Sequence, residues 1–244
     1  MTTLRSIARQ WNRNAAARCR QLEKGEDISH DEVLVPALLA LAGNLKGKRV
    51  LDVGCGCGFL TSIVARKAKS VVGVDISKGM IDECRRRLQK ALNIRFLVSS
   101  IERFAKGRTG QFDICLSNMA LMTMPNLEGV LAAISKALKP GGRFVFSITH
   151  PCFWNAYRQD ESVADFNYWK PHAVTVPFRV TLVQKPLPVP TTYFHRSVSR
   201  YVSALTRAGF QIQRVVEPEA PRNAPKVYRE RFKIPRFMVF SARR

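Results

Sequence analysis

Between Lys48 and Ser147 the chain alternates short apolar runs with longer amphipathic stretches. Val50–Val53, Val71–Val74, Ile94–Val98, Phe112–Leu116 and Phe144–Ile148 are short and rich in β-branched or aromatic residues. They read as buried strands. Leu60, Ile63 and Val64 share one helical face. So do Met80, Ile81, Cys84 and Leu88, with Arg85–Arg87 around them, and so do Leu127, Val130, Leu131, Ile134 and Leu138. The KPGG sequence at 139–142 predicts the end of that last helix, because proline cannot continue it and glycine permits the turn. Strand and helix in alternation predict an α/β fold with a parallel sheet covered on both faces.

The pattern changes after His150. Residues 151–195 hold nine of the chain's 22 aromatic residues, together with Pro171, Pro177, Pro186, Pro188 and Pro190. Val174, Val176, Phe178, Val180 and Leu182 alternate strictly and predict a strand, with Pro177 suited to a sheet edge. Ser197–Ala208 predicts a helix ended by Gly209, and Ile212–Val216 and Phe237–Phe240 predict two last strands. The expected plan has four parts: a helical cap at 1–44, a core at 45–150, an aromatic-rich insertion at 151–195, and completion of the sheet to seven strands at 196–244.

The turn after the first strand carries the chemistry. In RVLDVGCGCGFLT, Asp52 is followed by glycines at 54, 56 and 58. Glycines at a strand-to-helix turn let a ligand approach the backbone, and the next helix points its N-terminus at it. The dinucleotide pattern G-x-G-x-x-G fails in both frames, at Phe59 and at Thr61, and no Lys-Ser/Thr follows to make a Walker loop.

What fits is D-x-G-x-G-x-G, and here the sequence resembles the class I S-adenosylmethionine-dependent methyltransferases. The resemblance covers about residues 45–150. It is carried by Asp52, Gly54, Gly56 and Gly58, by Asp75 at the tip of the second strand, and by the Phe112–Asp113 and Lys139–Gly142 segments. It implies a Rossmann-like, mostly parallel seven-stranded sheet and S-adenosylmethionine as the methyl donor. Asp75 is then placed to take both ribose hydroxyls, and Ile76 to pack on adenine. Many relatives carry an aspartate after the third strand. This chain has FLVSSIERF instead, which leaves the Ser100 hydroxyl or the Ile101 backbone for the adenine edge. Asp52 has two readings, ligand contact or bracing of the loop. Asp113 reads as structural.

Methyl transfer from a sulfonium needs in-line approach in a dry site more than it needs acid–base help. Candidate acceptor-side residues follow the fourth and fifth strands. Asn118 stands where enzymes acting on exocyclic base amines often carry Asn/Asp-Pro-Pro-aromatic, but here the sequence is Asn118-Met119-Ala120-Leu121. That counts against base N-methylation. Met119, Met122 and Met124 suit either an adaptable pocket or the core. His150, at the end of the fifth strand, and His195, at the mouth of the next helix, are the candidate proton acceptors, each with a structural alternative. His30 and His172 have weaker claims. SITHPCFW and YFHRSVSRYVSALTRAGF resemble a bacterial subgroup of small-molecule methyltransferases, and the aromatic insertion suits a planar or lipophilic acceptor.

Composition widens the choice of partner. Lys and Arg number 40 against 18 acids, a net charge of +22. Residues 1–22 hold Arg5, Arg9, Arg13, Arg18 and Arg20 and no acid. Two readings stand: a solvated surface, or attraction to nucleic acid or an acidic membrane. The leading function is therefore a small-molecule O-, N- or C-methyltransferase, of the kind used in secondary metabolism. The alternatives are an RNA or protein methyltransferase and a quinone-ring methyltransferase. No apolar run reaches about 18 residues, so no membrane span is expected. A cytoplasmic location is expected, with organellar import as the alternative reading of the basic N-terminus. Cys19, Cys55, Cys57, Cys84, Cys115 and Cys152 show no zinc spacing. They predict reduced thiols and no metal site.

Overall fold

The apolar runs form β1 (Arg49–Val53), β2 (Ser70–Asp75), β3 (Ile94–Val98), β4 (Phe112–Asn118) and β5 (Leu138–Thr149). The structure, a computed structural model, describes residues 3–158, 166–183 and 185–244. The parts of the expected insertion at 159–165 and 184 lie outside the described residues, and so do the side chains at 157 and 158. The five strands are parallel, in the order β3-β2-β1-β4-β5. β9 (Phe237–Arg243) runs antiparallel beside β5, and β8 (Gln211–Val216) antiparallel beside β9, to complete seven strands.

The pleat sorts the core into two layers. Val50 faces a cluster with Leu38, Leu60, Val64, Leu116 and Val145, under α2 (Val35–Ala42) and α3 (Phe59–Ala65). Leu51 and Val53 face the opposite cluster, with Leu131, Ile134, Phe144, Phe146 and Leu205, under α6 (Leu127–Ala137) and α8 (Val198–Arg207). Leu51 is fully buried in its layer, so truncating it to Ala costs about 2–5 kcal/mol. α4 (Lys78–Arg87) and α5 (Ile101–Phe104) follow β2 and β3. Local chemistry sets the helix ends. The Ser77 hydroxyl accepts the Met80 N–H, the Asn126 side chain accepts the Gly129 N–H, and the Ser197 hydroxyl accepts the Arg200 N–H. Arg85, Arg86 and Arg87 crowd the last turn of α4, where the helix dipole favours cations.

The structure corrects three expectations. KPGG does end α6 at Ala137, but it forms no separate turn. It is a bulge inside β5, between Leu138 opposite Phe112 and Arg143 opposite Ile114, with Gly141 at φ +73°. The alternation over Val174–Leu182 does not make one strand. β6 (His172–Val176) stops before Pro177, which has no N–H to give, and pairs antiparallel with β7 (Thr191–His195). His195 therefore ends a strand and does not cap a helix.

The third correction concerns the cysteines. Cys19 and Cys57 form a disulfide across a separation of 38 residues. Sequence spacing gave no sign of it, because α1 (Leu4–Glu23) folds back along α4 to bring the two together. That docking joins an apolar cluster of Trp11, Ala15, Cys19, Cys57, Phe59 and Met80 to buried polar contacts. Asn14, fully buried, exchanges two hydrogen bonds with the Val189 backbone at 2.9 and 3.0 Å. Gln10 donates to the Thr192 hydroxyl and accepts the Thr192 N–H, and Asn12 accepts from the Ser77 hydroxyl and the Gly79 N–H. α1 thus joins the glycine loop, α4 and the 186–195 segment.

Candidate active site

β1 has β2 on one side and β4 on the other, and the chain leaves these strands in opposite directions. The crevice at such a switch point is where open α/β sheets bind ligands. A cavity of about 860 Å³ opens there, within the usual range for small-molecule sites. Its floor is the loop after β1. Its sides are the ends of β2, β4 and β5. α1 and residues 176–183 cover it.

The loop is shaped by positive-φ glycines. Gly56 has φ +51°, and a Cβ there would meet no protein atom within 4 Å. Its free side faces the cavity, so the backbone is open to a ligand. Gly54 is different: a Cβ would come to 2.4 Å of the Ala120 Cβ, so here glycine lets the loop pack against the end of β4. Gly58 initiates α3 at φ +73° and does not line the cavity.

Two carboxylates hold the loop, Asp52 buried and Asp75 half-buried. Asp75 Oδ2 accepts the Gly56 N–H at 3.0 Å, and Oδ1 accepts the Ser77 N–H at 2.8 Å. Burial raises its pKa, against these backbone donors. Each oxygen keeps lone-pair capacity toward the cavity. Asp52 is buried beneath the loop and accepts the Thr61 hydroxyl at 2.5 Å. Its pKa is pushed up to about 7, first by burial, which outweighs the Thr61 bond, and further by the negative charge of Asp75. Both carboxylates line the cavity, as do Ile76, Ser100, Ile101 and Asn118. Ser100 spends its oxygen as the cap of α5, accepting the Arg103 N–H at 3.3 Å. Asn118 Oδ1 accepts the Ser147 hydroxyl at 2.6 Å. The same hydroxyl oxygen accepts the Met119 N–H at 3.0 Å. Met119 sits at φ +53°, the only described non-glycine residue in that region. Such strain persists only where neighbours hold it, and it is frequent at functional sites.

The acceptor side of the cavity is apolar. Met119, Met122 and Met124 line it, and Met122 belongs to the core as well. Trp154 lies flat on Tyr193, with ring centroids 4.3 Å apart, and both line the cavity. Phe178 meets the edge of Trp11 and takes the Arg18 guanidinium at 5.1 Å. Trp169, by contrast, is 80% exposed and lies off the cavity wall.

The structure brings neither candidate histidine to the cavity wall. His150 is buried, with Nε2 at 2.6 Å from Glu217 Oε1 and Nδ1 accepting the Cys152 N–H at 3.2 Å. Both ring nitrogens are occupied on the far side of the strand end. His195 donates its Nε2–H to the Tyr168 carbonyl at 2.8 Å, among Phe166, His172 and Tyr193. Burial lowers its pKa. Among the described residues His30 alone supplies an imidazole to the lining. Its signal in the sequence was weak, since it stands in a polar stretch far from the sheet.

Known proteins share this architecture. A family model described as a methyltransferase domain matches residues 44–189. A Haemophilus influenzae protein is 29% identical over 210 residues, 80% of each chain. A ubiquinone biosynthesis O-methyltransferase of Nitrosococcus oceani is 39% identical over 105 residues, 43% of this chain and 44% of its own, so the chain spans less than half of that relative. A Listeria monocytogenes structure described as an S-adenosylmethionine dependent methyltransferase superposes with a TM-score of 0.72 at 27% identity, covering 86% of this chain and 96% of that one. The chain belongs to the methyltransferase-domain family and is an S-adenosylmethionine-dependent methyltransferase.

Proposed function

We propose that this enzyme methylates an oxygen, nitrogen or carbon atom of a planar, largely apolar small molecule. One observation carries the reading. The cavity above the glycine loop continues without a break into a chamber walled by Trp154, Tyr193, Phe178, Val176, Val180 and three methionines. Flat rings and pliable thioethers fit a planar or lipophilic acceptor. The similarity to ubiquinone biosynthesis O-methyltransferases favours oxygen, and it keeps a quinone-type ring among the acceptors. The net charge of +22 supports the RNA reading, but a chamber of stacked rings suits one flat molecule better than a phosphate backbone.

The residues present fit S-adenosylmethionine. In our reading Asp75 takes the ribose hydroxyls with the lone pairs left over from Gly56 and Ser77. Ile76 packs on adenine, with Ser100 and Ile101 at its edge. Gly56 gives the ligand its open backbone, Gly54 and Gly58 shape the turn, and Asp52 and Asn118 brace it from below. Bound there, S-adenosylmethionine supplies an electrophilic methyl group. The chain's own residues do the rest: they orient the acceptor, exclude water and hold the loop. We assign residues 1–44 as cap, 45–150 as donor-binding core, 151–195 as acceptor-side cover and 196–244 as completion of the sheet. His150 and His195 act in this scheme as positioning residues that lock the end of β5 and of β7.

The test is calorimetry with S-adenosylhomocysteine, followed by mass spectrometry of a cell extract incubated with enzyme and methyl-labelled donor. Binding that Gly56→Val abolishes, and a labelled small molecule, are expected. Label found only in RNA or protein would refute the acceptor assignment.

A further inference from the structure

We infer that His30, fixed by Asp31, is the general base of this enzyme and that its acceptor is a phenolic or enolic hydroxyl. The inference rests on the small-molecule reading above and narrows it to one bond. Three observations meet at this residue.

The first is position. His30 belongs to a π-helical turn, Ser29–Leu34, a rare form that is frequent at functional sites. The turn packs on both halves of the reaction centre. The His30 ring meets Phe59, the first residue of α3 after the glycine loop, edge-on at 6.4 Å. Val33 and Leu34 share a cluster with Phe237 and Met119. Met119 is the strained residue just past β4, and Phe237 pairs with Thr149 at the end of β5. The turn therefore lies between the loop and the carboxyl ends of β4 and β5, where the donor's methyl group and the acceptor must meet, and the imidazole it carries lines the cavity.

The second is tautomer. His30 Nδ1 lies 2.7 Å from Asp31 Oδ1. A carboxylate on Nδ1 keeps the proton there and leaves Nε2 as the acceptor. The same carboxylate stabilises the imidazolium that forms when Nε2 takes a proton, the role such a partner plays in other dyads. His30 lines the cavity, and Nε2 has no protein hydrogen-bond partner among the described residues. The backbone is fixed too, since the His30 N–H reaches Asp27 Oδ1 at 3.1 Å.

The third is the local charge. Asp27 is spoken for by Arg18 at 2.6 Å. From the C-terminal side the turn faces Tyr228, whose hydroxyl bonds Ser29 at 2.8 Å, and Arg231 and Arg236, which line the cavity. Glu32 is exposed on the turn itself. Burial pushes the Tyr228 hydroxyl up to about 12, against the Ser29 bond, so Tyr228 is not the base. Arg231 and Arg236, on the cavity wall, bring guanidinium groups toward a developing oxyanion. A hydroxyl of intermediate acidity on a flat ring is the substrate that uses all of this.

In the step, the acceptor oxygen forms a bond to the methyl carbon of S-adenosylmethionine. The carbon–sulfur electron pair leaves with sulfur, giving S-adenosylhomocysteine. The hydroxyl proton passes to His30 Nε2 and is later released to water. No oxidant or metal is needed.

The experiment uses a panel of hydroxybenzoates and catechols, with and without nitro substituents, as probe acceptors. His30→Gln and Asp31→Asn are compared with the unaltered enzyme. S-adenosylhomocysteine affinity, by calorimetry, should be unchanged in both variants. With unsubstituted phenols His30→Gln should lower kcat by about 10²–10⁴ and remove the acidic limb of the kcat–pH profile. The loss should shrink toward unity for nitrophenols, which are already ionised and need no base. Asp31→Asn should give a smaller loss of the same form. A loss in His30→Gln that is equal for all phenols overturns the base assignment. So does a fall in donor-product affinity, which would place His30 on the donor. If the unaltered enzyme binds S-adenosylhomocysteine but methylates no phenol, the hydroxyl acceptor is refuted while the small-molecule reading stands. If S-adenosylhomocysteine does not bind at all, the donor-site reading fails as well.

Discussion

Asp52 links the cofactor loop to stability, and replacing it with asparagine isolates that link. Its carboxyl is buried beneath the loop, with one hydroxyl donor, from Thr61. Folding moves its pKa from the usual 3.8 to about 7. An acid whose pKa rises on folding binds more protons when native than when unfolded. Between those two values the unfolded chain has released its proton and the native chain has kept it, so stability falls as pH rises. Below the lower value both states are protonated and the contribution is at its full favourable value. Above the upper value both are ionised and the loss is complete. The gap is about three pH units; at about 1.36 kcal/mol each, the loss is about 4 kcal/mol. The asparagine side chain is neutral throughout and can still accept the Thr61 hydroxyl. Urea unfolding followed by circular dichroism, on ligand-free protein from about pH 4 to about pH 8, gives the stability of both chains. The stability of Asp52→Asn minus that of the unaltered protein should climb by about 4 kcal/mol over this range. Groups that titrate alike in both chains cancel in the difference. A difference flat to within about 1 kcal/mol would show that Asp52 is ionised in the native protein at neutral pH, and the account of the loop would be wrong.

The remaining expectations are brief. Asp75→Ala loses two proposed ribose bonds and frees the Gly56 and Ser77 N–H groups; at about 1.5–3 kcal/mol per charge-assisted bond, S-adenosylhomocysteine affinity should drop at least ten-fold, and unchanged calorimetry would refute the assignment. Gly56→Val should abolish that binding, because the side chain starts into the cavity and the backbone at φ +51° is one that L side chains rarely adopt; far-ultraviolet circular dichroism that stays native separates lost binding from a lost fold. Cys19→Ser opens the link between α1 and the loop across 38 residues; unfolding free energy should fall by about 2–4 kcal/mol, and a non-reducing peptide map without the Cys19–Cys57 cross-link would defeat this. Activity should survive a chelator, since the proposed step uses no Lewis acid; loss reversed by one divalent ion would contradict it.

The sheet and the donor side were legible because their signals are local. A parallel strand buried on both faces must be a continuous apolar run, and β1 to β4 follow from such runs to within two residues at either end. Asp52, the three glycines and Asp75 sit at fixed offsets from strand ends, so their meeting place follows from the α/β topology alone. Three things were not legible, and they share a cause. β7 pairs with β6 across the long segment from Pro177 to Pro190, and nothing inside TTYFH announces a partner. Cys19 and Cys57 meet only because α1 docks on the loop side, through an apolar cluster of Trp11, Ala15 and Met80 and through Asn14, Gln10 and Asn12, and the apolar face of a helix does not say which distant surface will cover it.

His30 is the sharpest case of the three. The turn that carries it is packed by α3, the end of β4, α9 (Lys226–Glu230) and the start of β9, four parts of the chain far apart in sequence. His150 looked better placed because a strand end is an address that sequence can read. Yet a strand end fixes only the Cα. Glu217, 67 residues on, holds the His150 ring at 2.6 Å, so its direction is decided by a contact that no local pattern encodes. The donor half of such an enzyme is set by the turn after a strand, and the acceptor half by which distant segments close over it. A sequence can therefore identify the methyl donor from one loop, while the acceptor's chemistry is written in the contacts of the cover.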